Sequence, residues 1–155
     1  GLVVADGAEA FEAVANRDPG VPLGRELEVA DLLGFIRQQR IRNTVWITGD
    51  VHYCAAHHYD PSRARFTRFD PFWEFVSGPV HAGSFGPGRL DNTFGPQLRY
   101  YKGPKEGEAQ NQPPTLGLQF FGHVAIDGAT EVMTVTLRDV EDASLFAVKL
   151  DPKMG

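Results

Sequence analysis

The sequence predicts an α/β fold, and three observations carry that reading. Residues 24–40 have a helical apolar period, and a short apolar strand, Thr44–Thr48, follows almost at once. That strand runs into Gly49-Asp50-Val51-His52. The last third of the chain then alternates as an antiparallel meander.

Taken in order, the segment before Pro22 is mostly loop. Leu2-Val3-Val4 is short and apolar enough for a strand, and Asn16-Arg17-Asp18-Pro19-Gly20 is turn chemistry. In the helix, Val29, Leu32, Leu33 and Ile36 follow i, i+3, i+4, i+7, which places them on one apolar face. Glu26 and Glu28 lie early and Arg37 and Arg40 late, as the helix dipole favours. Tyr53–Tyr59 continues extended, and Phe72–Val76 is a strand ended by Ser77-Gly78-Pro79. Phe66–Phe69 fits no single period. Gly83–Thr115 is rich in Gly, Pro, Asn and Gln and reads as one long loop, a length usually tied to function. Leu118–Ile126, Glu131–Arg138 and Ser144–Leu150 form the meander, with Asp127-Gly128 as a hairpin signal. Residues 132–137 carry apolar members on both alternating sets, which predicts a sheet covered at least partly on both faces.

Composition narrows the function classes. The 155 residues suit one domain with a sizeable core. Fifteen basic and twenty acidic residues give a net charge of −5, against a nucleic-acid-binding surface. One cysteine, Cys54, excludes an internal disulfide framework and a Cys-rich zinc site. No run is long and apolar enough to span a membrane, and no signal peptide is visible, although a chain opening on Gly1 leaves room for a preceding targeting segment. Location stays open.

The chemistry concentrates at Asp50 and His52. On an extended backbone their side chains project to the same face, a carboxylate beside an imidazole at a strand end. Those donors suit zinc, iron and manganese. A turn aspartate beside a core histidine fits the same short pattern. On a straight strand His58 would share the His52 face about 20 Å away, and Cys54 about 7 Å away, so neither co-ligates. His57 faces the other side. His57 and His58 read as structural or pocket-wall residues, and Cys54 as a small buried residue. His81 sits in a Gly-rich stretch that suits either an anion cradle or a plain surface loop. His123 falls inside a strand and reads as a core histidine. Phe72, Trp73, Phe75, Phe120 and Phe121 read as core aromatics.

Four separated segments resemble one family. Val45-Trp46-Ile47-Thr48-Gly49-Asp50-Val51-His52-Tyr53, Phe72-Trp73-Glu74-Phe75-Val76-Ser77-Gly78-Pro79, Leu90-Asp91-Asn92-Thr93-Phe94-Gly95-Pro96 and Gly117-Leu118-Gln119-Phe120-Phe121-Gly122-His123 occur in the order seen in the PhoD-like branch of the alkaline phosphatase D family, within the calcineurin-like metallophosphoesterases. The resemblance implies a four-layer α/β/β/α sandwich with a binuclear metal site, iron and/or calcium or other divalent cations, acting on phosphate monoesters or diesters. It implies that Asp50 and His52 are metal ligands, and that Tyr53, His81 and Asn92 are candidates for the substrate pocket. The family's earlier metal motifs, including Gly-Asp-x-x-Asp, are absent. Residues 1–155 are therefore expected to be the C-terminal portion of a single metallophosphoesterase domain, inactive or nearly so alone, with the missing N-terminal portion as its partner. The resemblance also allows export from the cytoplasm. Two other readings stay open on the residues: a self-contained mononuclear metal enzyme using Asp50, His52 and either His81 or His123, and a non-catalytic β-rich binding module.

Overall fold

A computed structural model describes residues 5–6, 20–86 and 89–153. The expected Leu2–Val4 strand lies outside the described residues, as does most of the turn before Gly20. The described elements, in chain order, are β1 (Ala5–Asp6), α1 (Glu26–Gln38), β2 (Val45–Thr48), β3 (Cys54–Tyr59), β4 (Phe72–Val76), β5 (Arg89–Leu90), β6 (Pro96–Lys102), β7 (Phe120–Ile126), β8 (Met133–Asp139) and β9 (Ser144–Leu150). The chain is thus mixed α/β, as the helix–strand succession predicted. Among the described residues no helix is long and apolar enough to cross a membrane.

The main sheet has the order β2-β4-β3-β6. Strand β4 enters between β2 and β3, parallel to the first and antiparallel to the second. The register sets Trp46 and His57 on either side of Glu74, and Tyr59 beside Phe72. Paired residues share a face, so one face carries Trp46, Thr48, His57, Tyr59, Phe72 and Glu74. Its apolar members pack on Ala30 and Leu33 of α1, together with Phe66, Phe69 and Phe94. The opposite face carries Cys54, Ala56 and Phe75, which pack on Phe120, Val135 and Leu137 of the meander β7-β8-β9. The result is three layers: helix, main sheet, meander.

Three expectations are corrected here. The long loop contains the two-residue β5 and the seven-residue β6, which pairs with β3. Its sequence, Pro96-Gln97-Leu98-Arg99-Tyr100-Tyr101-Lys102, has no apolar run because it is an edge strand, with Leu98 and Arg99 exposed and Pro96 at its first position. The meander is buried unevenly, at β8 more than at β7. Val135 and Leu137 are buried against the main sheet and Thr136, on the alternating set, is buried as well, while β7 is exposed after Phe120. Phe121 and His123, expected in the core, are therefore exposed. In α1 the buried residues are Glu26, Ala30 and Leu33, while Leu32 is exposed.

Phe75 is 1% exposed and links the two sheets. Phe75→Ala is expected to cost about 3–5 kcal/mol of unfolding free energy, read by urea denaturation. A loss below about 1 kcal/mol would mean that the meander does not pack on the main sheet as described.

Candidate metal centre

Asp50 and His52 are not on an extended backbone. Strand β2 ends at Thr48, and the chain then makes two tight turns: the Val51 N–H donates to the Gly49 carbonyl at 3.0 Å, and the Tyr53 N–H to the Val51 carbonyl at 2.8 Å. Asp50 itself takes the left-handed conformation, with φ 77°, rather than Gly49. Aspartate tolerates that region better than most residues, at a cost of about 1 kcal/mol. The two side chains are therefore presented by a turn and not by strand alternation.

The geometry of His52 is well defined. Its Nδ1 lies 2.7 Å from the carbonyl oxygen of Gly83. A carbonyl only accepts, so Nδ1 must carry the proton, which leaves the neutral ring's lone pair on Nε2. Ligating histidines are commonly oriented in this way. The Phe85 N–H donates to the His52 carbonyl at 3.1 Å, and the two rings are 5.4 Å apart. A Cβ on Gly83 would run into the Asn111 side chain, which would have to move aside. The loop is held in turn by Ser84, which exchanges backbone hydrogen bonds with Gln112 and whose hydroxyl donates to the Leu118 carbonyl. Asp50 is exposed and His52 half-buried, as a solvent-reached pair of ligands would be. A carboxylate oxygen and an imidazole nitrogen fit a borderline-to-hard divalent cation. Among the described residues no group of three His, Cys, Asp or Glu side chains comes together around them or elsewhere.

The other candidates lie as follows. Tyr53 is buried on Tyr101, with ring centroids 5.5 Å apart, and burial pushes its phenol well above its ordinary range, with Glu74 and Tyr101 adding to the effect. His81 is exposed, two residues before Gly83. Asn92 sits in a turn whose backbone accepts hydrogen bonds from the Arg65 and Gly95 N–H groups, so it packs against residues 63–66. Burial pushes the Cys54 thiol up to about 12, against the pull of Lys102, so it is no nucleophile at neutral pH. A cavity of about 630 Å³ lies at the opposite end of β2, lined by Arg42, Asn43, His58 and Trp73 among others, away from the Asp50 turn.

Sequence reasoning missed the residues that support the turn. Thr48 Oγ1 donates to Glu74 Oε1 at 2.6 Å, and Tyr59 OH donates to Glu74 Oε2 at 2.7 Å. A glutamate inside the apolar run Phe72–Val76 was the available signal, since buried glutamates are rare unless hydrogen-bonded. His57 lies beside it, Nδ1 3.9 Å from Oε2, beyond hydrogen-bond reach. Burial lowers the His57 pKa more than Glu74 raises it, so the ring is neutral.

The unfolded chain therefore binds protons at His57 before the folded one does. Stability is expected to fall as pH drops below the ordinary histidine value of 6.5. Thermal melts between about pH 7.5 and about pH 5.5 should show a smaller loss in His57→Asn than in the parent. Equal losses would show that His57 is not the group responsible.

A family model described as PhoD-like phosphatase matches residues 2–137. No curated protein matches the chain, and no solved structure does.

Proposed function

Because the chain belongs to the PhoD-like phosphatase family, we propose that it contributes Asp50 and His52 to the metal centre of a phosphoesterase. The observation that carries this reading is the hydrogen bond from His52 Nδ1 to the Gly83 carbonyl, which leaves Nε2 as the ring's donor atom, two residues from the exposed Asp50. The family match supports phosphate-ester hydrolysis as the reaction class. Bound metals, two in this reading and drawn from iron, calcium or other divalent cations, would polarise the phosphoryl oxygens and acidify a water.

This chain's own part is to hold and orient. Asp50 supplies a hard anionic donor and His52 a neutral nitrogen. The Gly83 carbonyl fixes the ring's tautomer and plane. Two donors are too few for a stable centre, since sites of this kind take at least three protein ligands. The remaining ligands then come from outside the described residues, in the reading that these residues are the C-terminal portion of one domain and nearly inactive alone. Two features support that reading. Ile47 on the edge strand β2 is 66% exposed, and α1 leaves Leu27 and Phe35 exposed. An apolar edge with no further partner strand among the described residues, and an apolar helix flank, are where further strands and helices would pack to complete a four-layer sandwich. His81, two residues before Gly83, is a pocket-wall candidate on the loop that holds His52. The substrate is a small phosphate monoester or diester.

Metal content and hydrolysis of aryl phosphate mono- and diesters should be measured on this chain and on the natural full-length protein. Metal and turnover are expected in the full-length protein. Chelation should remove activity, and His52→Ala or Asp50→Ala should cost about a hundredfold or more. Stoichiometric metal with turnover in residues 1–155 alone, or full activity in His52→Ala, would contradict the assignment.

A further inference from the structure

Glu74 is fully buried in a strand whose other members are Phe72, Trp73, Phe75 and Val76. A carboxylate in such a place is costly unless donors reach it, and an apolar residue of the same shape is often no less stable. Its two hydroxyl donors come from different places. Tyr59 belongs to the core on the α1 side, stacked on Phe72 at 4.4 Å. Thr48 is the last residue of β2, with only Gly49 between it and Asp50. At this end of β2 the Ser77 N–H reaches the Thr48 carbonyl at 3.4 Å, and the Thr48 hydroxyl reaches Glu74 at 2.6 Å. The residue just beyond is the left-handed Asp50, a conformation that persists only when its surroundings hold it.

We propose that Glu74 is a positioning residue for the metal centre: through Thr48 it pins the end of β2, so that the Gly49–His52 turn presents Asp50 and His52 to one cation. The inference rests on the reading of Asp50 and His52 as ligands. The parallel pairing of β2 with β4 makes the arrangement possible. Glu74 lies opposite Trp46, two residues before Thr48 and on the same face, so its side chain needs to reach only one step along the strand.

Thr48→Val, Thr48→Ser, Tyr59→Phe and Glu74→Gln in the natural full-length protein separate positioning from packing. The readouts are Mn2+ affinity, thermal stability, and amide hydrogen exchange at residues 50–52. Thr48→Val is expected to weaken Mn2+ binding about tenfold and to speed exchange at the turn. Thr48→Ser should restore both. Tyr59→Phe removes a different hydrogen bond to the same carboxylate, so it should lower stability and leave Mn2+ affinity within about twofold. In a Glu74→Gln background, Thr48→Val should add little, as expected for two residues acting through one bond. Parent-like Mn2+ affinity in Thr48→Val, or an equal loss in Tyr59→Phe, would overturn the proposal. If the parent binds no Mn2+ that His52→Ala abolishes, the ligand reading is what fails. Unchanged exchange in Thr48→Val would then overturn the positioning role on its own, and faster exchange would uphold it for the turn.

Discussion

Strand β4 is buried on both faces, and most of the architecture follows from that constraint. Phe72 and Glu74 point toward α1, while Phe75 points toward the meander. One five-residue strand thereby sets the spacing of all three layers. Lying between β2 and β3, it also fixes where β2 stops. The turn that follows Thr48 starts above a buried carboxylate instead of in open solvent. A polar group in that position has a value that packing alone would not give it, because apolar replacements are usually no less stable.

The turn itself trades local comfort for presentation. Gly49 could adopt a left-handed backbone at no cost, yet Asp50 adopts it. A carboxylate on that residue is aimed differently from one on a pleated strand, and His52 is then steered by a carbonyl from a second loop. Two segments thirty-one residues apart are thus joined at one imidazole nitrogen. The Ser84–Gln112 bridge and the Ser84–Leu118 contact tie the same loop to the residues leading into the meander, so the orientation of His52 depends on that loop being anchored.

How much of this was legible in the sequence follows from where the information is stored. The helix, β2, β3, β4 and the meander were legible because apolar periodicity reports burial, and these elements bury a face. Strand β6 was not, because an edge strand with Arg99 and exposed Leu98 buries too little to show a period. The exposure of β7 was misread because Phe121, Val124 and Ile126 give it an apolar strand composition although they lie at the solvent. At the site, Asp50 and His52 stood out as a motif, but their geometry did not. A positive φ at a non-glycine residue and a carbonyl arriving from Gly83 are tertiary facts with no local pattern. Glu74 had a readable signal, a charge in an apolar strand, while its donors Thr48 and Tyr59 are ordinary members of their strands.

The central claim is that the Gly49–His52 turn presents Asp50 and His52 to a metal, with the His52 ring held by Gly83. Anomalous diffraction from Mn2+-soaked crystals of the natural full-length protein tests it most directly. The account predicts a manganese peak at ligand distance from both His52 Nε2 and an Asp50 carboxylate oxygen, with Nδ1 still on the Gly83 carbonyl. A peak on His52 Nδ1, or ordered manganese elsewhere in the active site with neither residue in its coordination sphere, would contradict it.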